Sequence, residues 1–258
     1  MGRVKRLHYA IDDLVDWWDM DIKKEELEYM LKNEIYTKAV FKNILEFSNI
    51  KKNLDNLEMK PKIVNFSKVY YINLLELNSE EKILKSLSYN QRRNIKKYQN
   101  RLNKIKYEFL EAKSYKPYFD NLISFIREKY KNSLFNDDLY CKILYNALDY
   151  FENSSMLNTF ILKTKEDIMS INIVINYEKR SFWWLTGFNE KYSYYSPTRM
   201  SIYYMLKHYL SKNFVEFNFM KGESEYKTLW TNNFYKLYRY EFENPNLIKK
   251  VFSFFSFF

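Results

Sequence analysis

Glycine, proline, cysteine and histidine are nearly missing: the 258 residues hold three Gly, four Pro, one Cys and two His. A single cysteine, Cys141, excludes an internal disulfide. With only His8 and His208 beside it, there is no His/Cys set of the kind that holds zinc. A lone cysteine among apolar neighbours reads as core rather than as half of a catalytic Cys–His pair. No run of 18 apolar residues exists, so no helix is long and apolar enough to span a bilayer. The basic start, Met1 to Arg6, runs into Asp12, Asp13 and Asp16, unlike a signal peptide. The expectation is a cytoplasmic globular protein without a metal.

What is present is a large apolar complement, 47% hydrophobic and 20% aromatic, enough for one sizeable core with or without a small appendage. Lysine, asparagine, isoleucine, tyrosine and phenylalanine dominate, the bias that an AT-rich coding sequence produces. Part of the net charge of +10 follows from that bias. The two interior glycines, Gly187 and Gly222, therefore stand out as positions expected to exclude a Cβ.

From Asp12 to about Lys60 the apolar spacing is helical: Leu27, Met30, Leu31 and Ile35, then Ala39, Phe41, Ile44, Leu45 and Phe47. Val69 to Leu74 reads as a strand. Asn78 with Glu81, and Ser88 with Gln91, fit capping boxes that open two helices, the second running to about Leu102. A strand at Tyr107 to Leu110 and two amphipathic helices, about Tyr118 to Lys131 and Asp138 to Phe151, follow. Leu157 to Lys163, Ile168 to Tyr177 and Phe182 to Phe188 form an antiparallel meander; the middle strand alternates with period two. A helix from Thr198 to Ser211, a strand from Phe214 to Phe219, a loop and a strand from Phe234 to Phe242 complete the order.

Three stretches of this order resemble the GNAT superfamily: Leu87 to Lys97, Leu185 to Tyr192 running into Ser196-Pro197-Thr198, and Phe217 to Trp230 with its Gly-x-x-x-Tyr-Lys at Gly222 to Lys227. More narrowly the chain is similar to the branch of cellulose-biosynthesis acetyltransferases, related to Fem-type aminoacyltransferases. The resemblance covers about Ile72 to Phe242. Two positions depart from it: Thr198 stands where the family has glycine, and Asn218 where it has an acid.

The resemblance implies an α/β (α+β) GNAT-like fold: a mixed, mostly antiparallel sheet flanked by helices. It implies a helical N-terminal remnant of a leading half at 1–67, the acyltransferase domain at 68–243 and an aromatic tail at 244–258. It also implies that the Gly187 strand and the Phe214 strand splay to admit acetyl-CoA or another acyl-CoA. Gly187, Phe188, Ser196, Thr198 and Arg199 would bind that co-substrate, with the diphosphate at the helix N-terminus. Arg199 in a first helical turn is either the diphosphate's partner or an exposed arginine of no consequence.

Tyr226 would protonate the departing thiolate, Lys227 would orient a phosphate or carboxylate, and Glu223 or Glu225 would accept the acceptor's proton. The alternative for Tyr226 is a packing anchor with the glutamates solvated, and Trp230 reads as a packing anchor. Lys82 to Lys106 carries nine basic residues and no acid. Its helix is a solvated face, a phosphate-bearing substrate site built on Arg92, Arg93 and Lys97 with Asn218, or a nonspecific nucleic-acid surface. The acceptor is expected to be an amine or hydroxyl on a small molecule, a sugar or a cell-envelope precursor. Transfer RNA is the alternative donor carrier, DNA is not expected, and a non-catalytic binding module is the rival of another class. The terminal Val251 to Phe258 either packs on the domain, forms a dimer contact or touches a membrane surface peripherally.

Overall fold

The computed structural model describes residues 6–7, 23–33, 38–77 and 79–243. The chain divides into two compact units, Met1–Val69 with Lys221–Glu223 and Phe234–Phe258, and Tyr70–Met220 with Ser224–Asn233. The expectations for Asp12 to Met20, Ile35, Asn78 and the terminal aromatic tail lie outside the described residues.

In the first unit, β1 (Arg6–Leu7) runs parallel to β2 (Lys38–Leu45), which pairs antiparallel with β9 (Phe234–Glu243). Helices α1 (Lys24–Asn33) and α2 (Asn49–Asp55) cover the pair. Leu27, Leu31, Phe41, Ile44, Leu54, Tyr240 and Phe242 form the core. The helical expectation for Ala39 to Phe47 is corrected here: Lys38–Leu45 is a strand. A bulge between Phe41 and Ile44, with Asn43 at φ 58°, inserts residues into the strand and gives its apolar positions a helix-like spacing. The strand β3 (Lys62–Asn73) begins in this unit; the strand expected at Val69 is present and starts earlier, at Lys62.

The second unit is built on the strand order β3–β8–β7–β6–β5–β4, where β4 is Tyr107–Ala112, β5 Leu157–Thr164, β6 Ile168–Tyr177, β7 Arg180–Phe188 and β8 Glu216–Lys221. Strands β4 to β7 are antiparallel neighbours, and β8 joins β7 in parallel. The β6–β7 hairpin turns on Glu178 and Lys179, both at positive φ (46° and 61°), the left-handed pair that a two-residue turn demands.

Short α3 (Leu74–Leu77) and α4 (Glu80–Ser86) lead into α5 (Tyr89–Leu102); Ser79 caps α4 and Ser88 caps α5. Helix α5 packs with α8 (Pro197–Ser211) in a core that includes Ile95, Leu102, Met200, Tyr209, Phe217 and Phe219. Helices α6 (Phe119–Lys129) and α7 (Asp138–Asn153) pack with Ile161, Ile171 and Ile173 in a separate core. The short α9 (Glu225–Thr228), absent from the sequence expectation, follows β8. The fold is the expected α/β class: a large, mostly antiparallel sheet flanked by helices.

Candidate active site

Strands β7 and β8 pair over only three positions, Arg180 with Glu216, Ser181 with Phe217 and Phe182 with Asn218. Beyond Phe182 the pairing ends. A bulge in β7, opposite Ile173 and Val174, falls just past that point. Bulges of this kind re-aim a strand and leave backbone groups off the ladder. A cleft of about 290 Å³ opens there, reached by β7, α6, α8 and α9.

Gly187, Phe188, Ser196, Thr198, Arg199 and Tyr226 all line this one cleft. After β7 the chain makes a 3₁₀ turn over Glu190–Tyr195, and Ser196 takes a left-handed conformation (φ 50°) that swings the backbone into α8. Pro197 occupies the first helical turn, where its missing N–H costs nothing. Met200 N–H bonds the Ser196 carbonyl, so Thr198 and Arg199 hold the N–H groups that the first turn has to offer. The Thr198 hydroxyl oxygen is buried and has no hydrogen-bond partner among the described residues. The Arg199 guanidinium lies 5.4 Å from the centre of the Tyr98 ring. Farther along α8, Tyr203 donates to Glu80 at 2.8 Å and Lys207 pairs with the same carboxylate at 2.9 Å, so α4 anchors the helix.

Gly187 excludes a Cβ because of a helix: a Cβ there would lie 3.0 Å from Phe125 Cβ and 3.1 Å from the Leu122 carbonyl oxygen. Its role is close packing of α6 on β7. Gly222 adopts φ 112° and donates its N–H to the Lys68 carbonyl at 3.1 Å, so positive φ is its requirement.

Tyr226, on α9, is 41% exposed, and its ring meets Trp183 edge to face at 5.9 Å. It stands in the cleft wall rather than in the core. The next residue points elsewhere. Lys227 is buried, and its Nζ donates to the Met220 carbonyl at 2.9 Å; it does not line the cleft. Asn218 is fully buried, accepts from Met220 N–H at 2.9 Å and donates to Glu216 at 2.8 Å. The amide thus serves the end of β8, and an ionised acid there would lose the bond to Glu216. Glu223 belongs to the first unit, where it pairs with Lys68 at 3.0 Å.

The basic helix divides. Arg92 donates to the Lys85 carbonyl, while Arg93 and Lys97 are exposed; none of the three lines the cleft. Arg101, on the same helix, stacks 3.8 Å over Tyr194 and donates to that residue's carbonyl at 2.7 Å, pinning the 3₁₀ turn. Sequence reasoning missed Trp183, Thr186, Lys129 and Tyr130 as cleft residues and read Trp230, another lining residue, as packing alone. Trp183 and Thr186 both donate to the buried Asn172 Oδ1, at 3.1 and 2.9 Å.

A parallel strand pair thus parts beside a helix N-terminus, within a mostly antiparallel sheet. Residues 89–228, more than half of the chain, match the acetyltransferase (GNAT) domain family, and the chain belongs to it. No curated protein matches the sequence. Among solved structures the fold is similar to FemX (TM-score 0.60, 11% identity, covering 88% of this chain and 79% of that one). It is also similar to L-PGS from Bacillus licheniformis (TM-score 0.59, 11% identity, 84% and 71%). A third is the C-terminal domain of a putative lysylphosphatidylglycerol synthetase from Agrobacterium fabrum (TM-score 0.56, 11% identity, 79% and 67%). The GNAT-like, Fem-type fold expected from the sequence is therefore present. Among the described residues, no helix is long and apolar enough to cross a membrane.

Proposed function

We propose that the cleft receives an acyl-CoA and that the protein passes its acyl group to an amine or hydroxyl of a sugar or cell-envelope precursor, in the manner of the cellulose-biosynthesis acetyltransferases that the sequence resembles. The observation that carries this reading is the parting of β7 from β8 after three residue pairs, beside the first turn of α8. Free strand backbone suits the amides of an extended arm. The partnerless Thr198 hydroxyl, with Arg199 and Lys129 in the same lining, suits phosphate oxygens. The residues present therefore fit the co-substrate.

A thioester supplies the activated acyl carbon; the chain's own residues orient it. Thr198 and Arg199 hold the phosphate end, Trp183 and Phe188 exclude water from the arm, and the Tyr226 hydroxyl gives its proton to the departing sulfur and is restored by the proton that the attacking amine or hydroxyl loses. Lys227 and Glu223 have no part in this scheme, each being engaged elsewhere. The test is thermal unfolding against increasing CoA and acetyl-CoA. Ligand at about a hundred times its Kd adds about 2.7 kcal/mol of stability, a clear rise in Tm.

A second reading keeps the fold and takes an aminoacyl-tRNA as donor, as the Fem-type resemblance implies. Exposed Arg93, Lys96 and Lys97 on one helix favour it. No rise with CoA together with a rise from aminoacyl-tRNA decides for this donor.

A further inference from the structure

One buried side chain of the cleft lining stands where β7 and β8 part. Ladder pairing between β7 and β8 stops at Phe182 and Asn218, so Trp183 is the first residue past the fork. Its indole is 4% exposed and faces the cleft. Behind it stand Phe219, edge-on at 5.9 Å, and Phe217 at 6.5 Å; beside it stands Tyr226 at 5.9 Å. The indole N–H is fixed by a 3.1 Å bond to Asn172 Oδ1, and the same oxygen takes the Thr186 hydroxyl at 2.9 Å. Asn172 is itself fully buried on β6. A side chain held by a buried hydrogen bond and packed on three rings cannot swing aside without leaving an N–H unpaired.

We infer that Trp183, fixed by Asn172, is the end wall of the donor cleft and restricts the transferred acyl group to a short chain. The inference rests on the acyl-CoA reading and deepens it. A donor laid along the fork with its phosphates at α8 brings its thioester toward Tyr226, and the acyl carbons beyond the sulfur then meet the indole. The cleft's volume of about 290 Å³ lies just below the range of ligand sites, about 300 to 1,000 Å³. Trp183 is thus a specificity-determining residue, and Asn172 is a positioning residue that acts through it.

The experiment compares CoA, acetyl-CoA and hexanoyl-CoA by calorimetric titration on the wild type, Trp183→Leu and Trp183→Phe. An apolar pocket that cannot take an added methylene discriminates about 10–200-fold. Wild type is expected to bind CoA and acetyl-CoA alike and hexanoyl-CoA at least tenfold more weakly. Trp183→Leu is expected to bring hexanoyl-CoA to within about threefold of acetyl-CoA, each read relative to CoA on the same variant, and Trp183→Phe to fall between. If Trp183→Leu fails to fold, the wild-type and Trp183→Phe series decides alone. Equal wild-type affinity for the three ligands overturns the end wall while leaving the donor intact. Unaltered discrimination in a folded Trp183 variant does the same. Failure of CoA to bind the wild type overturns the donor reading and this inference with it.

Discussion

The ammonium of Lys227 donates to the carbonyl oxygen of Met220 at 2.9 Å, across the corner where β8 ends. Met220 is at φ 61°, a left-handed conformation that few non-glycine residues adopt, and its own N–H is held by Asn218. One side chain thereby fixes a strained corner while its neighbour Tyr226 faces the cleft. Lys227→Met is expected to lower unfolding stability by about 1–3 kcal/mol, because a buried carbonyl loses its donor. Chemical denaturation measures it. Unchanged stability with lost donor affinity would return Lys227 to the binding site.

Tyr226→Phe keeps the ring against Trp183 and removes only the hydroxyl. A general acid contributes about 10²–10⁴-fold, so turnover is expected to fall at least a hundredfold. Donor affinity should stay within about threefold, since the packing is kept. Steady-state kinetics beside a binding isotherm separates the two; an undiminished kcat rules out the hydroxyl as the acid.

Gly187→Ala puts a methyl group against Phe125 and the Leu122 carbonyl, both nearer than ordinary van der Waals contact. Overpacking of this kind costs about 1–3 kcal/mol. The expected signature is a lower denaturation midpoint with an unaltered m-value. A neutral result would show that α6 yields readily, and that the glycine serves the cleft instead.

Glu80 joins α4 to α8. Burial opposes its ionisation, but the hydrogen bonds from Lys207 and Tyr203 outweigh it and hold its carboxyl below the usual range. A depressed folded-state pKa gives stability that is complete above the unfolded carboxylate pKa and lost as pH falls through the lower folded value. The wild-type Tm should therefore decline below about pH 4.5, the ordinary glutamate value. Glu80→Gln should flatten that part of the decline and change little in Tm dependence above it. Superimposable wild-type and variant profiles would show that the carboxylate contributes nothing as an ion.

The meander from Leu157 to Phe188 was legible because Ile171, Ile173 and Ile175 alternate with Asn172, Val174 and Asn176 across a pleat, and its turns are short and polar. Lys38–Leu45 was not, because its two exposed-leaning positions fall four residues apart, at Lys38 and Lys42, and Asn43 breaks the alternation with a bulge. Part of the cleft lining was readable. Ser196, Thr198 and Arg199 announce a helix start after a strand, and Gly222 places Tyr226 beyond another strand's end. Trp183 was hidden, since adjacent tryptophans read as core and the bulge that separates their roles is a backbone event. Lys227 and Glu223 were misjudged for a different reason: their partners, Met220 and Lys68, are set by folding and leave no trace in local spacing.

The scarcity of glycine has a consequence for how this protein tolerates change. Glu178 and Lys179 form the β6–β7 turn with two side chains where Asn-Gly is the usual choice, and each left-handed L-residue carries about 1–2 kcal/mol. That cost is stored in a turn at the far end of β7 from Gly187 and Phe188. A recoded gene carrying Lys179→Gly relieves one of the two residues without touching the cleft. Such a variant has more stability to lose than its parent, and is the better host in which to enlarge or re-line the acyl pocket.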